Sequence, residues 1–230
     1  MPEILALRHG RCKLNEQGRL NGQLDSELAE EGERQAEALR DHLGAYLGQR
    51  LIQLPSMVYS SDLRRASRTS RIITDGLGLP PALELPALRE RHLGQVEGMT
   101  CAEALAHVPD RYKIPTPHGV TYAQTRKYGF ETFRQATKRA EGVLDYIERT
   151  HEEDEPVWAF THGDFTLALA AAWTGRPMKE IIQELYLGNT EGVWLHPDKT
   201  YTKFVPDAHG VTTDSVGELA NVIRLPQRVG

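Results

Sequence analysis

Apolar positions along the chain fall into short continuous blocks that alternate with longer stretches at helical spacing. Residues 3–7 (Glu-Ile-Leu-Ala-Leu) read as a short buried strand that runs straight into Arg8-His9-Gly10. Residues 28–47 place Leu28, Ala36, Leu39, Leu43 and Leu47 at helical spacing. Residues 56–60 (Ser-Met-Val-Tyr-Ser) form a second strand candidate. Asp62 then stands where a helix N-cap belongs. The helix it opens is expected to last to about Asp75 and to end at Gly76 and Gly78. Residues 130–149 carry Phe133, Ala136, Ala140, Val143, Leu144 and Ile147 as another amphipathic helix. Residues 156–160 read as a third strand, ending at Thr161-His162-Gly163. Residues 164–173 read as a mostly apolar helix that stops at Gly175. Residues 192–196 and 200–205 flank Pro197-Asp198-Lys199 as a hairpin.

This alternation of strands and helices predicts an α/β fold with a mainly parallel sheet. The length of 230 residues fits one domain over residues 1–230. Residues 99–129 break the alternation. They are rich in Pro, His, Tyr and Thr and lack periodicity, and a segment of that length inside a compact domain is expected to be functional, as a lid or insertion. The last 25 residues are polar and receive no assignment.

Composition narrows the function classes. A formal net charge of -5 argues against a nucleic-acid surface, so an anion site must come from locally clustered arginines. Two cysteines, Cys12 and Cys101, make no disulfide framework. The first residues have no basic stretch leading into an apolar run, and nothing approaches the roughly 20 apolar residues of a membrane helix. The expectation is a cytoplasmic protein with no membrane partner.

Candidate chemistry sits at strand ends. Arg8 and His9 follow the first strand, Arg65 lies just after the second, and His162 follows the third. Ligands of open α/β sheets bind beyond the carboxyl ends of the strands, so these four side chains are expected to meet. Two arginines and two histidines around one point make an anion site, because guanidinium forks match phosphate oxygens two at a time. Each piece has a plainer reading. A lone histidine at a strand end is more often structural than catalytic, and Arg64, Arg65, Arg68 and Arg71 would ordinarily form a solvated basic face. The argument rests on the combination in chain order.

In that order the residues resemble the histidine phosphatase superfamily, the phosphoglycerate-mutase-like proteins. Arg8-His9-Gly10 with Asn15 is similar to the family's opening motif, and Gly22, Asp25, Leu28, Gly32 and Gln35-Ala36 to the stretch after it. Residues 60–69, Ser-Ser-Asp-Leu-Arg-Arg-Ala-Ser-Arg-Thr, resemble the second motif, with Arg65 as the phosphate-binding arginine. Leu88-Arg89-Glu90 with Gly94 and Glu97-Gly98 resembles the third, with Glu90 in the general-acid position. His162-Gly163 takes the place of the second histidine. The resemblance covers about residues 3–195. It implies a three-layer sandwich with helices on both faces of the sheet. It also implies phosphate-binding roles for Arg8, Asn15, Arg65, His162 and Gly163. Two departures stand out. Cys12 occupies a position where the family usually has Thr or Ser. The His-Asp pair of the acid-phosphatase branch is absent, because Gly163 intervenes.

Such residues support one scheme. A neutral His9 attacks phosphorus, while Arg8, Arg65 and His162 neutralise the phosphoryl oxygens. Glu90 protonates the leaving alkoxide, then activates the water that hydrolyses the phosphohistidine. The scheme requires no metal or cofactor, and no tight cluster at metal-ligand spacing is present. Glu97 competes with Glu90 for the acid role. Cys12, near Arg8 and His9, has two readings of equal standing: a thiol sensitive to oxidation or alkylation, and a buried inert one.

The leading expectation is a phosphomonoesterase for a small phosphorylated metabolite. Its rivals are a phosphoglycerate mutase, a sugar-bisphosphate phosphatase and a non-catalytic phospho-ligand binder. Mutases of the family carry adjacent arginines in the lid, where this chain has Asp110-Arg111-Tyr112-Lys113, although Arg126-Lys127 offers a basic pair at the lid's other end. Mutases also usually place Asn where this chain has Asp164, a carboxylate that would repel a second anionic group. Substrate choice is expected to lie in residues 99–129 and around Asp164 and Asn189. A homodimer is common among proteins of this resemblance, and the oligomeric state stays open.

Overall fold

A computed structural model describes residues 1–110, 113–116, 119–122 and 126–206. In chain order the first elements are β1 (Ile4–Arg8), α1 (Lys13–Glu16), α2 (Glu30–Gly48), β2 (Met57–Ser60), α3 (Arg64–Leu77) and β3 (Leu83–Glu84). Then come α4 (Cys101–His107), β4 (Lys113–Thr116), β5 (Gly119–Tyr122), α5 (Phe133–Thr150) and β6 (Val157–Thr161). The last described elements are α6 (Gly163–Thr174), α7 (Met178–Glu184), β7 (Gly192–Leu195) and β8 (Tyr201–Phe204). Residues 207–230 lie outside the described residues, as do positions 111, 112, 117, 118 and 123–125.

The main sheet has six strands in the order β3-β2-β6-β1-β7-β8. The ladders from β3 across to β1 are parallel, and β7 and β8 add antiparallel at the other side. Three of the five ladders are parallel, so the expected mainly parallel sheet is found, extended on one side by an antiparallel pair. β4 and β5 pair only with each other.

Side-chain alternation explains the layers. Ile4 and Ala6 of β1, with Val157 and Ala159 of β6, pack against apolar residues of α5 and α6. Leu5, Leu7, Trp158 and Phe160 point to the other face, onto Leu39, Leu43 and Tyr46 of α2 and Ile73 of α3. Successive strand residues face opposite sides, so one apolar run supplies both cores. Full burial of one such leucine contributes about 2 kcal/mol.

Helix ends mostly follow local chemistry. Gly78 (φ 66°) and Gly175 (φ 68°) close α3 and α6 in the left-handed region. Asp62 departs from expectation. Leu63 holds the N-cap position of α3, and the Asp62 carboxylate instead grips Arg89, with Oδ1 2.7 Å from Nε and Oδ2 2.5 Å from a terminal nitrogen. A two-point charged pair outweighs a single neutral cap bond. It also ties the start of α3 to the loop that carries Glu90.

Candidate active site

Three adjacent parallel strands bring the predicted residues together. β1 and β6 run in register, with Arg8 opposite Thr161, and β2 follows, with Ser60 opposite Phe160. The residues that leave these strands, His9, His162 and Ser61, therefore emerge side by side. A cleft of about 290 Å³ opens there. Arg8, His9, Asn15, Arg65, Glu90 and Gly163 all line it.

His9 is buried, and its Nδ1 lies 2.6 Å from the Gly10 carbonyl oxygen. A carbonyl only accepts, so Nδ1 carries the proton and Nε2 keeps its lone pair. The Arg65 Nε–H donates to that lone pair at 3.1 Å. Backbone bonds fix the residue on both sides: the His9 N–H donates to Thr161, and the Asn189 side-chain amide donates to the His9 carbonyl at 3.1 Å. Gly10 is needed for close approach, since a Cβ there would sit 2.5 Å from the Gly32 carbonyl oxygen at the start of α2.

Arg65 is fully buried. Its terminal nitrogens donate to the Leu24 and Gly22 carbonyls, each at 2.8 Å. Arg8 donates to the Leu187 carbonyl, while its Nε has no partner among the described residues. The His162 ring packs edge-on to His9 with centroids 5.0 Å apart. Its Nε2 meets the Ser61 hydroxyl, and its Nδ1 likewise has no partner among the described residues. Buried polar atoms without partners are uncommon, and each costs about 1–3 kcal/mol. Here they belong to the two residues beside His9, Arg8 next to it in the chain and His162 against its ring.

Glu90 accepts backbone N–H bonds from Arg91 and Phe165 on Oε1 and from Asp164 on Oε2. Gly163 stands between it and Arg8: a Cβ there would lie 3.7 Å from Arg8 Nε and 3.8 Å from Glu90 Oε2. Glu97 does not line this cleft. Its Oε1 accepts from the Gln23 and Leu93 backbone N–H groups at 2.9 and 2.8 Å, which pins two loops. Asn15 reaches the cleft, but its side-chain carbonyl accepts from Cys12 N and Sγ.

The electrostatics follow from burial and charge. Burial first, then the Arg65 and Arg8 guanidinium groups, hold His9 well below the ordinary histidine pKa, against the opposing bond to Gly10. His162 is lowered in the same way, by burial and then by Arg65, His9, Arg8 and Arg139. Both rings are thus neutral near pH 7. Burial, followed by the Asp164 carboxylate, raises Glu90, although the Arg91 N–H bond, Arg65 and Arg8 pull the other way. Arg65 is lowered by burial yet stays charged, as guanidinium does in proteins.

Several supporting residues were not foreseen. Arg91, which is 1% exposed, donates from Nε to Asp164 Oδ2 at 2.9 Å and lies over the Phe133 ring. Asp164 therefore sits in the first turn of α6 paired with Arg91, which offsets part of its expected repulsion of a second anion. Arg139 binds Glu131 and donates to the carbonyls of Ala87 and Arg89, holding the Glu90 loop from behind. Its signal was present: it falls on the apolar stripe of α5, between Ala136 and Val143. Ser61 was legible only by its place at a strand end and within the motif over residues 60–69, with no role attached.

Of the two readings of Cys12, the structure matches the buried one. The thiol is fully buried, lies outside the cleft lining, and is 3.1 Å from Asn15 Oδ1 and 3.4 Å from Asn21 Oδ1. Cys101 is exposed. Iodoacetamide is therefore expected to label Cys101 in the native protein with activity retained, and Cys12 only after unfolding. Peptide mapping checks this; rapid native labelling of Cys12 with parallel inactivation would contradict it.

An α/β sandwich with paired histidines and arginines at its strand ends defines a phosphoryl-transfer site. The family follows from comparison: residues 4–205 match the model of the histidine phosphatase superfamily, branch 1, and the chain belongs to it. It is 33% identical over 169 residues to a metal-independent phosphoserine phosphatase of Arabidopsis thaliana, a match covering 73% of this chain and 66% of that protein. It is 31% identical over 182 residues to a glucosyl-3-phosphoglycerate phosphatase of Mycobacterium tuberculosis, covering 76% of each. The solved structure of a mycobacterial glucosyl-3-phosphoglycerate phosphatase with VO3 superposes with a TM-score of 0.72 at 30% identity, over 91% of this chain and all of that one.

Proposed function

We propose that this protein is a phosphomonoesterase that hydrolyses a small phosphorylated metabolite through a phosphohistidine on His9. The observation that carries this reading is the pair of unpartnered buried groups, Arg8 Nε and His162 Nδ1, beside a neutral, cleft-lining His9 whose Nε2 lone pair is held by the Arg65 Nε–H. A phosphoryl group placed among them gives each one an acceptor oxygen. It also draws the Arg65 guanidinium off the lone pair, which frees Nε2 for in-line attack. Glu90, pushed toward the protonated form by burial and the Asp164 carboxylate, gives its proton to the leaving oxygen and then takes one from the attacking water. Asn15 and the Gly163 turn complete the phosphate cradle.

The walls favour a phosphatase over a mutase. A mutase must hold a second anionic group while its intermediate reorients, which calls for further cations. Beyond the phosphate end, the cleft is lined by Phe133, Leu167, Ile182, Leu185 and Leu187. Two further cations line the cleft: Arg91 is paired with Asp164, and Arg19 donates to the Gly98 carbonyl and lies 3.9 Å from Glu103. Arg111 and the side chain of Arg126 lie outside the described residues. The lid expected over residues 99–129 lies partly outside the described residues.

Phosphate release is expected to exceed any phosphoglycerate mutase turnover by at least about tenfold, a gap of about 1.4 kcal/mol in barrier height. A panel of phosphorylated metabolites, assayed for phosphate release beside a coupled assay for 3-phosphoglycerate isomerisation, tests it. Efficient isomerisation with negligible phosphate release would establish a mutase instead.

A further inference from the structure

The hydroxyl of Ser61, the first residue after β2, lies 2.9 Å from His162 Nε2. Both side chains are fully buried. The Leu63 backbone N–H donates to the same hydroxyl oxygen at 3.3 Å. With that lone pair taken, the oxygen has one proton to give, and His162 Nε2 is the acceptor within reach. The opposite arrangement, with Nε2 donating to Ser61, has two faults. It leaves the buried hydroxyl proton without an acceptor. It also leaves a lone pair on Nδ1, the ring atom with no partner among the described residues, on a histidine that borders His9 and the field of Arg8 and Arg65. A lone pair there would repel a bound anion.

We infer that Ser61 is a positioning residue: its hydroxyl donates to His162 Nε2, fixes the ring proton on Nδ1, and so turns a neutral His162 into a hydrogen-bond donor for a bound phosphoryl oxygen. This rests on the proposed placement of the phosphoryl group between Arg8, His9, Arg65 and His162. The consequence is functional. A histidine that had to be protonated to bind phosphate would lose its role as pH rose, because burial and the arginines disfavour the cation. A neutral donor of fixed tautomer keeps its role over the whole range in which His9 is an unprotonated nucleophile. The two rings thus carry the same tautomer, with the proton on Nδ1, for opposite purposes. His9 turns that proton to the Gly10 carbonyl and leaves Nε2 free to attack. His162 gives Nε2 to Ser61 and turns Nδ1–H to the substrate.

The test is 15N NMR of histidine-labelled protein above neutral pH, with and without inorganic phosphate. The wild type is expected to show His162 protonated on Nδ1 and bare on Nε2, with Nδ1 moving on phosphate binding. Ser61→Ala is expected to give mixed tautomers and a kcat at least about tenfold lower on p-nitrophenyl phosphate. Ser61→Thr, which keeps the hydroxyl, is expected to hold the wild-type tautomer and to recover most of the lost kcat. A proton on Nε2 in the wild type overturns the inference, and that result needs no variant to fold. Wild-type tautomer and kcat in Ser61→Ala overturn it equally. His162→Ala separates the two levels: if it is inactive while the Ser61 results fail, only the role of Ser61 falls, whereas a fully active His162→Ala removes the underlying site assignment.

Discussion

His9→Ala is expected to lower kcat at least about a thousandfold, with phosphate still bound. The imidazole Nε2 is the unprotonated ring nitrogen of a cleft-lining residue, its lone pair held by the Arg65 Nε–H, and the Cys12 thiol is buried outside the cleft lining. The fold is expected to survive the change, because the backbone bonds of residue 9 to Thr161 and Asn189 do not involve the ring. Arg8 and Arg65 stay to bind the anion, so inhibition by inorganic phosphate is expected to change far less than turnover. Steady-state phosphate release and phosphate titration of the same variant measure both quantities. Retention of more than a few per cent of activity would remove the covalent scheme.

Glu90→Gln has the next largest expected effect, a loss of about 10²- to 10⁴-fold on alkyl phosphates, whose leaving groups need a proton. On p-nitrophenyl phosphate, whose leaving group departs unaided, the loss is expected to be tenfold or less. The pH profile follows from the directions of the shifts. Activity requires neutral His9 and protonated Glu90, so kcat/KM rises as His9 deprotonates at a depressed pKa. It then falls as Glu90 ionises at a raised one. Glu90→Gln is expected to abolish the alkaline limb, because glutamine does not titrate. Glu97→Gln is expected to act through stability instead, since that carboxylate holds the Gln23 and Leu93 loops. If Glu97→Gln shows the leaving-group dependence and Glu90→Gln does not, the acid has been assigned to the wrong residue.

What the sequence revealed and what it concealed divide along physical lines. Runs such as Ile4–Arg8 and Val157–Thr161 are buried on both faces, so continuous apolar stretches announced them, and the polar residues at their ends announced the site. The helices α2, α5 and α6 were legible from spacing and from terminal glycines. Arg65 was flagged by its place after the second strand and singled out of a basic helix face by the family resemblance, whereas Glu90 was reached through the resemblance alone. The partners that make the site work are long-range. Ser61 and His162 are 101 residues apart, and Arg91 and Asp164 are 73 apart. No local pattern encodes such pairs. Asp62 shows the same competition from the other side: its local signal was for a cap, and a distant arginine claimed it. β3, with two residues, and α7, with seven, are too short for periodicity to register. The hairpin of β7 and β8 was legible, but its antiparallel attachment to β1 was not, because register with a distant strand is set by packing.

The central claim is that the phosphoryl group passes through His9. Rapid mixing with a phosphorylated substrate, quenching in alkali where phosphohistidine survives, and mass spectrometry of the peptides test it most directly. The account predicts a transient acid-labile phosphate on the peptide containing His9, formed and lost at rates that support turnover and absent from His9→Ala. Phosphate release in a single turnover with no phosphopeptide, or phosphate found on His162 instead, would contradict it.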